Sequence, residues 1–182
     1  IGHELTHGVV EDEAQLLYVD EPGALHESLA DVFGSLLKQH ARRQTASEAD
    51  WLVGAELLGP DVRGVALRSM TAPGSAYDDP ILGRDPQPAH MRGYVQTTAD
   101  NGGVHINSGI PNRAFAPAAI RIRGYAWERA GRIWYDALRD PGVTPTTRFR
   151  TFARATVRAA QHAFPDDVQT VREAWDEVGV TL

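Results

Sequence analysis

The clearest helical period in the chain lies between Leu25 and Leu37, where Leu25, Leu29, Val32, Phe33, Leu36 and Leu37 recur at helical spacings. This helix is expected to begin after Pro22 and Gly23 and to close on Lys38, Arg42 and Arg43, whose charges suit the carboxyl end of a helix dipole. Ile1 to about Asp12 contains no proline and reads as another helix. Downstream, Tyr125 to Leu138 carries Ala126, Ala130, Ile133, Trp134, Ala137 and Leu138 on one side. Phe149 to about Ala163 likewise carries Phe149, Phe152, Thr156, Val157 and Ala160. A last helix takes Asp166 as its N-cap with Gln169 three residues on, buries Val168, Val171, Trp175 and Val178, and stops at Gly179. From Gln44 to about Gly109 the periodicity dissolves among Pro60, Pro73, Pro80, Pro86 and Pro88, which predicts irregular structure around short elements. So long an irregular segment is usually functional. The pattern predicts a mainly α, multi-helix domain with a long irregular segment between its second helix and the later ones.

Composition narrows the classes. A chain of 182 residues, 42% of them hydrophobic, suits one domain with a sizeable core or a large part of a two-domain protein. Its 24 acidic and 18 basic residues give a formal charge of -6, which argues against nucleic-acid or anionic-membrane partners. There is no cysteine, so disulfides and cysteine-based metal sites are excluded. No apolar run approaches the ~20 residues of a membrane span. The sequence opens inside a motif, and is read as the C-terminal part of something longer.

That motif is His3-Glu4-Leu5-Thr6-His7. Histidines at i and i+4 share a helix face, so two imidazole nitrogens can reach one zinc ion at ~2.0–2.1 Å while Glu4 addresses a water on it. The competing reading is an amphipathic helix with surface His and Glu. A catalytic zinc needs a third protein ligand and leaves a fourth position for water. Glu27 is the candidate, with Asp31 one turn further on the same helix, placed to accept the second N–H of a ligating imidazole. Both lie in a stretch rich in Ala, Leu, Val and Phe, where unpaired carboxylates are costly. A metzincin would place Gly and a third His where Val10 and Glu13 stand, which leaves a carboxylate third ligand.

The spacing of "HELTH" and Glu27-Asp31 in "GALHESLADVFG", followed by "GVALRSM" and "DNGGVHINSGIPNRAF", resembles the thermolysin family of zinc metalloendopeptidases. The resemblance runs essentially from Ile1 to Leu182 as the helical C-terminal domain of such enzymes, with "LLKQ" and "ADWLVGAELL" most like the protealysin-like branch. It implies His3, His7 and Glu27 as zinc ligands, Glu4 as general base and Asp31 as the partner of His3. It further implies Arg68 as a donor to a substrate carbonyl and Leu67 as part of the pocket for the residue after the scissile bond. His105, oriented by Asp100, becomes the transition-state donor, and Tyr18 assists at the same oxyanion. Taken singly, Arg68 and Asp100 also read as surface residues and His105 as a core histidine. His26, His40, His90 and His162 fit no ligand pattern and are left structural.

Two departures stand out. At the family's double calcium site this chain has Lys38, Leu52 and Ala55, with only Asp50 acidic, so the resemblance does not carry calcium over. Lys38 is expected to replace the ion's charge with its own. The family's strand-rich N-terminal domain, which forms one wall of the cleft, is not among these residues. Three functions are therefore weighed: a zinc endopeptidase acting on peptide and protein substrates with large apolar residues on the leaving-group side, a zinc aminopeptidase, and a catalytically silent zinc-binding fragment. By resemblance the protein is secreted, although the protealysin-like branch leaves an intracellular origin open.

Overall fold

The computed structural model describes residues 1–182 as seven α-helices and two very short hairpin ladders. Helix α2 (Asp20–Arg42) is the centre of the domain and packs on α1 (Gly2–Glu13), α3 (Asp100–Asn107), α4 (Gly109–Ile122), α5 (Ala130–Leu138) and α6 (Phe149–Ala163). Helix α7 (Val168–Glu177) closes the core against α4 and α6. Trp134 and Trp175 stack at 6.0 Å in that core, and Phe115 and Phe152 meet them edge-on. The Trp175 indole N–H, which could not be buried unpaired without cost, donates to Thr156 Oγ1 at 2.9 Å.

Every residue from Pro22 to Val32 is buried, so the start of α2 is enclosed on all sides. His26, Glu27, Ser28 and Asp31 are carried into the interior by that enclosure. The helix opens at Asp20, with Pro22 and Gly23 inside its first turn rather than before it. Proline is tolerated there because first-turn N–H groups have no intrahelical acceptor.

Helix α1 lies across α2 at two glycines. A Cβ on Gly34 would fall 2.9 Å from the His3 backbone nitrogen, and one on Gly2 would fall 3.2 Å from Gly34 Cα. This close approach seats His3 over the middle of α2. Gly34→Ala gains ~0.5–1 kcal/mol of helix propensity, but overpacking against backbone costs ~1–3 kcal/mol. The expected net result is a lower urea midpoint with unchanged m-value. A midpoint at or above wild type would show that the crossing has slack.

The irregular segment holds β1 (Leu52–Val53) antiparallel to β2 (Arg68–Ser69), and β3 (Asp78–Asp79) antiparallel to β4 (Gly83–Arg84). Buried carboxylates act as its scaffold. Asp85 accepts from the N–H groups of Gly74, Ala76 and Gln87, and Asp79 from those of Arg63, Ile81 and Leu82. The order in which these elements follow one another delivers Arg68 to α2.

One helix and two boundaries depart from the expectation. Helix α4 carries no amphipathic signal because it is buried almost all round, and Gly109, Pro111 and Pro117 read as breakers. Residues Tyr125–Arg129 form turns, so α5 starts at Ala130. Asp166 is exposed, and a short turn over Pro165–Asp167 leads into α7 with Asp167 at the N-cap position. Asp167 Oδ1 accepts from Arg129 instead of from the helix N–H groups.

Candidate metal centre

One turn of α1 brings the His3 and His7 Nε2 atoms to 3.2 Å of each other. Glu27, 1% exposed on α2, lies opposite, its Oε2 3.5 Å from His3 Nε2 and its Oε1 3.6 Å from His7 Nε2. A tetrahedral ion at ~2.0–2.1 Å from each ligand spaces its ligands by roughly 3.3–3.4 Å. The three side chains therefore outline one face of a zinc-sized tetrahedron. Glu27 Oε2 is buried with no hydrogen-bond partner, an orphan that a cation would satisfy. No other group of three His, Cys, Asp or Glu side chains in the chain converges in this way.

Asp31, fully buried, fixes the histidine nearest it. His3 Nδ1 lies 2.9 Å from Asp31 Oδ1, and because a carboxylate only accepts, the proton sits on Nδ1 and Nε2 is left with a free lone pair. Arg68 Nε and Nη2 donate to the same carboxylate at 2.8 and 2.7 Å, and Asn112 Nδ2 adds a fourth bond at 2.9 Å. Burial pushes the Asp31 carboxyl up, but His3 and the Arg68 guanidinium outweigh it and hold it at about 2. For His3, burial acts downward, and the bond and charge of Asp31 together with the Glu27 charge leave it raised.

A second group faces the open side of the triad. Tyr18 donates its hydroxyl to Glu27 Oε1, and the same hydroxyl lies 3.3 Å from His105 Nε2. Burial, followed by the Glu27 hydrogen bond and charge, raises the Tyr18 phenol and keeps it protonated. His105 Nδ1 sits 2.5 Å from Asp100 Oδ1, while Asp100 Oδ2 accepts from the His105 backbone N–H at 2.9 Å. The backbone makes this possible by running left-handed through Asp100, Asn101, Gly102 and Gly103 before the right-handed turns begin. Gly102 has φ +86°, and a Cβ there would fall 2.2 Å from Asp20 Oδ1, so only glycine fits.

The sequence-derived residues distribute as follows. His3, His7, Glu27, Asp31, Arg68, Tyr18, His105 and Asp100 form one connected network. Glu4 stands beside it, exposed and without a hydrogen-bond partner. Leu67 is 36% exposed and packs over Gly54 at the edge of the site. Asn112 and Ser28 were missed: Ser28 donates to Asn112 Oδ1 at 2.8 Å and orients the amide toward Asp31. Their signal was present, as polar residues inside "GALHESLAD" and "GIPNRAF" with no solvent face to occupy. Of the remaining histidines, His40 packs on Trp127, His90 sits against Gly179 and His162 is exposed. His26 instead lies against His7 and Tyr18.

Residues 14–180 match the sequence profile of the thermolysin metallopeptidase α-helical domain. The chain belongs to this family. It is 55% identical over 183 residues to an extracellular metalloprotease of Pectobacterium carotovorum, covering 100% of this chain and 53% of that protein. It is 53% identical over 185 residues to protease PrtS of Photorhabdus, covering 100% of this chain and 50% of the relative. The solved precursor of protealysin, a metalloproteinase from Serratia proteamaculans, superposes with a TM-score of 0.96 at 58% identity, over 99% of this chain and 56% of that one. These likenesses bear out a mainly α thermolysin-family domain of the protealysin-like type. The chain spans about half the length of these relatives. His3, Glu4 and His7 precede the profile match but fall within both full-length alignments.

Proposed function

We propose that this chain is the C-terminal, zinc-binding half of a two-domain endopeptidase that hydrolyses internal peptide bonds. The observation that carries the reading is the spacing of the His3, His7 and Glu27 ligand atoms around an orphaned buried carboxylate oxygen. Zinc bound there would act as a Lewis acid toward the scissile carbonyl and acidify water.

The protein's own groups do the rest. Glu4, free of any partner, takes a proton from the attacking water on its carboxylate and returns it to the leaving amine nitrogen. Tyr18 Oη–H, together with His105 once it carries a proton on Nε2, donates to the oxyanion that develops on the former carbonyl. Asp100 keeps the His105 ring aimed at that position. Arg68 spends Nε and Nη2 on Asp31, which leaves Nη1 for a substrate carbonyl. Leu67 at the same end favours a large apolar residue on the leaving-group side.

The test is cleavage of an internal bond in peptides blocked at both termini by the full-length, zinc-loaded protein. An endopeptidase cleaves them, and removal of zinc by a chelator stops it. An aminopeptidase requires a free amine and leaves them intact, and a silent zinc-binding fragment cleaves neither kind.

The two-domain reading draws support from the half-length coverage and from apolar side chains left open around α1, with Leu5 67% and Leu37 53% exposed. A preceding domain would cover them and form the opposite cleft wall. Neither a nucleic acid nor a membrane is a proposed partner, and no helix is long and apolar enough to cross a membrane. Secretion is proposed from relatives named extracellular proteases.

Calcium is not proposed at the α2 face. Lys38 Nζ donates to Asp50 Oδ1 at 2.6 Å and to the Leu52 carbonyl at 3.0 Å, so an ammonium sits between oxygens that would otherwise suit a cation. Millimolar calcium is therefore expected to leave the melting temperature unmoved, because a cation that does not bind the folded state cannot stabilise it. Lys38→Ala is expected to cost about 1 kcal/mol, the scale of a partly exposed pair. A calcium-dependent rise in the parent's melting temperature would contradict the substitution of charge.

A further inference from the structure

We propose that the recess beyond His7, built by His7, Gly8, Glu11, Tyr18 and His26, binds a cationic side chain at the residue preceding the scissile bond. The inference rests on the endopeptidase reading and adds a substrate class to it.

Position comes first. His3 faces Asp31 and Arg68, whereas His7 faces the other way, its ring 4.9 Å from His26 and 6.3 Å from Tyr18. The two histidines thus separate an Arg68 end, assigned to the leaving-group side, from a His26 end, which falls to the acyl side. The recess at that end spans about 470 Å³, ample for one side chain.

Its lining is unusual for a peptide subsite. No aliphatic side chain contributes; the walls are two imidazoles, a phenol, a glycine and a carboxylate. His26 is 5% exposed and its ring nitrogens are closed off from solvent, so it contributes the edge of a ring to the recess. Glu11 is exposed and pairs with no cation.

The chain before Lys38 carries no lysine or arginine. Glu4, Glu11, Asp12, Glu13, Asp20, Glu21, Glu27 and Asp31 precede the first lysine or arginine of the chain, Lys38. Only Glu13 and Asp31 of these meet an arginine, Arg139 and Arg68 respectively. An incoming ammonium or guanidinium would find the Glu11 carboxylate, with its alkyl stem along the Tyr18 and His26 rings. An acidic side chain would be repelled, and an aliphatic one would leave the Glu11 carboxylate without a counter-charge.

The experiment compares doubly blocked peptides identical except for lysine, norleucine or glutamate before the scissile bond, using the full-length zinc-loaded protein. The expected order in kcat/KM is lysine, norleucine, glutamate, with about a two- to fivefold lysine-to-norleucine ratio, the scale of an exposed charge pair. Glu11→Gln, one turn beyond His7 on α1, is expected to bring that ratio near one while zinc content, checked in parallel, stays at one. A wild-type ratio of one or below, or a ratio that Glu11→Gln leaves intact, overturns the subsite. Cleavage of none of the peptides overturns the endopeptidase reading and takes the subsite with it.

Discussion

Glu27→Ala is expected to leave the protein with far less than one zinc per chain. Two imidazoles on one helical turn would remain, without the carboxylate that closes the triangle or the negative charge that offsets the ion. Loss of a partner one bond outside a zinc site already weakens binding by ~10–100-fold, so loss of a ligand should cost at least about 100-fold. The substitution also strands Tyr18, whose hydroxyl donates to Glu27, and opens space beside a residue that is 1% exposed. Glu27→Gln separates these effects, because it keeps the volume and a hydrogen-bond acceptor while removing the charge. Elemental analysis of dialysed protein reads the outcome. Full zinc occupancy at wild-type affinity in Glu27→Ala would remove Glu27 from the ligand set.

Glu4→Gln is expected to do the reverse, keeping zinc and losing turnover. Glu4 is exposed and bonds to nothing in the fold, so its replacement should change stability by no more than about 0.5 kcal/mol, as for most surface positions. General-base assistance contributes ~10²–10⁴ in rate, and kcat should fall by at least that factor while the zinc content stays at one. A Glu4→Gln protein that cleaves blocked peptides at the parental rate would place the proton acceptor elsewhere.

The candidate metal triad was legible because its residue types have few other reasons to occur together. An i, i+4 histidine pair is a local pattern, and Glu27 with Asp31 stood out as carboxylates in an apolar stretch. Helix α6 was equally legible, its observed bounds Phe149–Ala163 following from one continuous apolar face. What escaped was set by tertiary surroundings. Helix α4 is packed on nearly every side, so no polar face marks its period. The start of α2 is enclosed in the same way, which turned Pro22 and Gly23 into apparent boundaries.

Asn112 illustrates the other limit. Its role depends on α4 passing within hydrogen-bonding distance of α2, 81 positions away in sequence, and no local pattern encodes that approach. The left-handed run through Asp100–Gly103 is partly readable, since paired glycines invite positive φ, but the bond it creates between Asp100 and the His105 backbone is visible only in three dimensions. His26 is the reverse case. Sequence offered no ligand pattern for it, and only its burial against His7 and Tyr18 places it beside the candidate site.

The most direct test of the metal centre is zinc K-edge X-ray absorption on the full-length, zinc-loaded protein. The expected result is one zinc with two imidazoles and carboxylate oxygen in its inner shell at ~2.0–2.1 Å, the remaining position being filled by water. Scattering from three or more imidazoles, or from none, would contradict a site made of His3, His7 and Glu27.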